Sequence, residues 1–146
     1  MDDRGHVGAP LGAPFEGAAE DFFRAIDASG ALPVGIDARE ASSAVLCVLL
    51  SRLDLEQGRA VLDGLPAAVQ EAMGRCPVHG GEPGEPLDAR TFLTRIGQHF
   101  GLEPEGALPM TAAVLQALRA TLPPRPAAVV ERELPAELRA LLRRRL

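Results

Sequence analysis

Residues 65 to 73 read LPAAVQEAM, and residues 134 to 142 read LPAELRALL. A return of this kind, at a shift of 69 in a chain of 146 residues, restricts the fold more than any single motif does. Sliding the chain by that shift aligns residues 43 to 73 with 112 to 142 without a gap. Ala44, Val45, Leu46, Leu49, Leu53, Val61, Leu65, Pro66 and Ala67 meet Ala113, Val114, Leu115, Leu118, Leu122, Val130, Leu134, Pro135 and Ala136. These nine identities in 31 positions compare with roughly three expected by chance in so Ala- and Leu-rich a composition. They also fall at helical spacing. Allowing one more residue in the intervening loop brings Phe22, Ile26 and Leu32 onto Phe92, Ile96 and Leu102.

Each copy reads as four short helices. Phe22, Phe23 and Ile26 form an apolar stripe over residues 18 to 28, which GALPVG interrupts. Asp37, with Glu40 three residues on, has the spacing of a capping box for a helix over 38 to 52. Asp54 caps a third helix that Gly64 ends near 63, and Pro66 stands in the first turn of a fourth. The second copy repeats this over 88 to 99, 109 to 121, 125 to 133 and 135 to 145, with Asp88 as its first cap. PPRP at 123 to 126 replaces an acidic cap there, and no segment shows the alternation of a strand. The expected fold is therefore an all-α tandem pseudo-repeat of two four-helix units packed into one compact helical bundle. A unit of this size buries only a modest core alone, so the two gain by docking. The boundaries are a flexible N-terminal tail over 1–17, a first repeat over 18–73, a Gly/Pro-rich linker over 74–87 and a second repeat over 88–146.

The pattern resembles a family of bacterial proteins defined as a domain of unknown function, number 2267. The carriers of the resemblance are AVLCVLLSRL with LDGLPAAV, and AVLQALRATL with VERELPAEL, across residues 18 to 143. It implies a helical repeat and brings no catalytic residues to transfer. This chain departs from the family pattern in its long linker with Cys76 and His79, and in the proline-rich start of its seventh helix.

Composition narrows the function classes. The net charge is −5, against a general nucleic-acid binder, although residues 101 to 146 hold five acids and seven Arg. All fifteen basic residues are Arg, and Lys, Asn and Tyr are absent. That bias points to a GC-rich bacterial genome and lowers the weight of any single arginine. The N-terminal MDDRGHVGAPLGAPF has no apolar run and does not read as a signal peptide, and AVLCVLL is too short to span a bilayer. Two isolated cysteines fit a reducing cytoplasm.

Candidate chemistry is sparse. Cys76 and His79 form a C-x-x-H pair, half of a zinc set, with no second pair to complete it. A Gly/Pro loop also fixes no geometry for a cysteine nucleophile. Cys47 lies among Val45, Leu46, Val48 and Leu49, as a core thiol does. His99 sits at a helix C-terminus, and Glu20, Asp21, Asp37, Glu40 and Asp54 at helix starts, where the dipole accounts for them. No catalytic, metal or cofactor-binding residue is assigned, and no cofactor is expected. The sharpest local signal is ELRALLRRRL, whose Arg139, Arg143, Arg144 and Arg145 are the candidate partner-binding residues. The expected function is a non-enzymatic helical binding module, a cytoplasmic adaptor or regulator that engages an unidentified protein. The alternative is a nucleic-acid-associated protein that uses the C-terminal Arg cluster.

Overall fold

The computed structural model describes residues 16–73 and 88–143, and Cys76, His79, His6, Arg144 and Arg145 lie outside them. The described residues form eight helices and no strand: α1 (Glu16–Ala28), α2 (Ala38–Arg52), α3 (Leu55–Asp63), α4 (Ala67–Met73), α5 (Ala89–Gln98), α6 (Pro104–Thr121), α7 (Pro124–Glu133) and α8 (Ala136–Arg143). The starts follow the side-chain chemistry. Asp37 accepts from the Glu40 backbone N–H at 2.8 Å while Glu40 accepts from the Asp37 N–H at 3.1 Å. Asp54 and Gln57 form the same reciprocal pair at 2.7 and 3.1 Å. Each box satisfies two N–H groups that the helix itself leaves without partners.

The helices α2 and α6 lie at the centre. Residues Ala44 to Leu49 of α2 and Met110 to Leu115 of α6 are buried without interruption, which a helix shows only when neighbours cover it on several sides. α1 packs on both α2 and α6, α5 packs on both α6 and α2, and α3 meets α7. α4 packs on α2 and α1, and α8 packs on α6, α5 and α7. The two halves of the sequence therefore share one core. Phe22, Ile26, Leu46 and Leu49 are fully buried in it together with Phe92, Ile96, Met110 and Leu118. Each such side chain contributes about 1.5–3 kcal/mol relative to exposure. Pairs at the shift of 69 are buried alike: Val45 with Val114, Leu49 with Leu118, Val61 with Val130, and Leu65 with Leu134.

One detail differs from the sequence expectation and a second adds to it. First, α6 begins at Pro104 and not near 109, so Pro109 lies inside it. Pro104 occupies the first helical position, where a proline loses nothing. Pro109 omits one bond to the Glu105 carbonyl, and both residues are exposed, so water can take up that carbonyl. Second, Gly64 ends α3 with φ −84°, outside the left-handed region that makes glycine useful at helix ends. What it supplies is smallness. A Cβ there would lie 2.9 Å from Pro123 Cδ and 3.2 Å from Leu122 Cδ2, at the contact of α3 with the start of α7. Pro123 and Pro126 of PPRP thus pack against the first half.

Candidate functional site

The described arginine of the C-terminal cluster, Arg139, is engaged inside the molecule. Its Nε donates to the Glu131 carbonyl at 2.9 Å, and its Nη2 donates to the carbonyls of Arg132 at 3.2 Å and Leu134 at 3.1 Å. Arg52, at the end of α2, donates from Nε to the Glu133 carbonyl at 2.7 Å. Four successive carbonyls at the C-terminus of α7 are thereby taken by two guanidiniums, one from each half of the chain. A helix C-terminus carries unsatisfied carbonyls and about half a negative charge, so a forked cation suits it. Arg143 closes α8. The structure thus gives Arg139 internal partners, while the Arg143 side chain, Arg144 and Arg145 lie outside what it describes.

The position equivalent to Arg139 in the first half is Gln70. Its Nε2 donates to the Leu65 carbonyl at 2.9 Å, as Arg139 does to Leu134. Gln70 is too short to extend along the end of α3. What lies there is an open cleft of about 500 Å³, formed by the end of α2, the length of α3 and Gln70 of α4. Leu50, Leu53, Leu55 and Leu62 give it an apolar lining, and Asp54, Arg59 and Asp63 stand with Gln70 around it. Leu55 is 78% exposed. Such a volume and lining suit a docking cleft with a few polar groups at its edge.

A second hollow, of about 360 Å³, lies between α1 and the start of α2. Its polar lining mixes Glu20, Asp27 and Asp37 with Arg24 and Arg39, and the Arg39 guanidinium stacks 4.6 Å from the Phe23 ring centroid. The Phe23 contact and the Asp37 cap are structural uses of these groups.

The remaining candidates have structural surroundings. Cys47 is buried in the middle of α2. His99 forms the C-cap of α5, with Nδ1 3.1 Å from the Arg95 carbonyl and its ring beside Phe100. Asp88 accepts from the Thr91 N–H at 2.7 Å, and this bond, helped by the Thr91 side chain, holds its carboxyl below the usual Asp range. Among the described residues, no three His, Cys, Asp or Glu side chains come together as a metal set. None of the described helices is long and apolar enough to cross a membrane.

The cleft was not singled out by motif. Its signal is a difference between the copies: Leu50, Leu62 and Gln70 stand where the second copy has Arg119, Glu131 and Arg139. Helix, caps and core define an all-α eight-helix bundle with an apolar cleft at one end of its first half. The chain belongs to the family described as uncharacterized conserved protein (DUF2267), whose model matches residues 19–141. No curated protein matches the chain.

Proposed function

We propose that this protein is a non-enzymatic helical binding module, a cytoplasmic adaptor or regulator that docks another protein on the cleft between α2, α3 and α4. The observation that carries this reading is the leucine lining of the cleft, the exposed Leu55 beside the half-buried Leu50 and Leu62, which the second half of the chain does not reproduce. An amphipathic helix laid into such a groove buries its own apolar stripe and needs no further chemistry from the protein. The test is recovery of the tagged full chain from its source cells with washes at low and high salt, beside the Leu55→Ser variant. Leu55 is the first residue of α3 and largely exposed, so the exchange spares the fold. A stoichiometric protein that survives high salt and is lost with Leu55→Ser supports docking at the cleft. A partner held equally by both proteins contradicts it.

The second reading, nucleic-acid association, draws on the surplus of Arg in residues 101 to 146. With Arg139 held by carbonyls, it rests on Arg143, Arg144 and Arg145. Nucleic acid retained at low salt only, and lost on deleting residues 143 to 146, would favour it.

A further inference from the structure

We draw no further inference here: the strongest candidate, the leucine-lined cleft between α2, α3 and α4, belongs to the site already described, and nothing in the structure shows what covers it.

Discussion

Thr111 and Ser42 occupy equivalent positions on the two central helices and are the two buried polar residues among the described ones. They differ in one respect. Ser42 Oγ donates to the Ala38 carbonyl at 2.7 Å, whereas Thr111 Oγ1 has no hydrogen-bond partner and no exposed surface. A buried hydroxyl without a partner costs about 1–3 kcal/mol. Val has nearly the shape of Thr, is equally β-branched and has a similar helix propensity, so Thr111→Val removes the hydroxyl without opening a cavity. The variant should be more stable by about 1–3 kcal/mol, a Tm rise of about 3–9 °C for a domain of this size. Ser42→Ala should move the other way by about 1 kcal/mol, because it deletes a satisfied bond. Thermal unfolding by circular dichroism, with urea unfolding to fix the sign, measures both. A Thr111→Val protein that melts at or below the parent would show that the hydroxyl is satisfied in solution, and the reasoning would fail.

The remaining expectations concern backbone contacts and caps. Gly97→Ala would place a Cβ 2.4 Å from the Leu102 carbonyl oxygen, a backbone atom, and should cost about 3 kcal/mol or more in urea unfolding. Gly64→Ala meets only side chains and should cost less, about 1–3 kcal/mol. Arg139→Ala leaves three carbonyls at the end of α7 to water and should cost about 1–3 kcal/mol, with faster amide exchange at the end of α7. Lys in its place should recover only part, since one ammonium cannot span the same fork. The Asp88 carboxyl should titrate below an ordinary Asp in a side-chain NMR titration. Its folded pKa is depressed, so its contribution to stability is complete above the unfolded pKa and disappears as pH falls through the folded one. A midpoint at or above the ordinary value contradicts the Thr91 contact.

Much of the fold was legible because capping and apolar period act locally. Asp37 with Glu40, and Asp88, declare helix starts locally, and the stripe of Phe22, Phe23 and Ile26 declares the buried face of α1. The start of α6 was not legible, because a proline at 109 reads as a boundary unless its missing bond is known to face water. The use of Gly64 depends on Pro123, far along the chain, and no local rule connects the two. For the site, the repeat register held the information, but only as a contrast. Gln70 has no evident role until Arg139 is seen holding the end of α7. In the sequence, Arg139 reads instead as one member of a basic terminal run, because its acceptors lie on the preceding helix.

The most direct test of docking at the leucine cleft is photo-crosslinking in the source cells, with a light-activated residue at position 55 and, separately, at exposed position 125 near the equivalent start of α7. Docking at the cleft requires one discrete protein adduct from position 55, absent from position 125. The same adducts from both positions, or none from position 55 while a partner is still recovered with the chain, would contradict it.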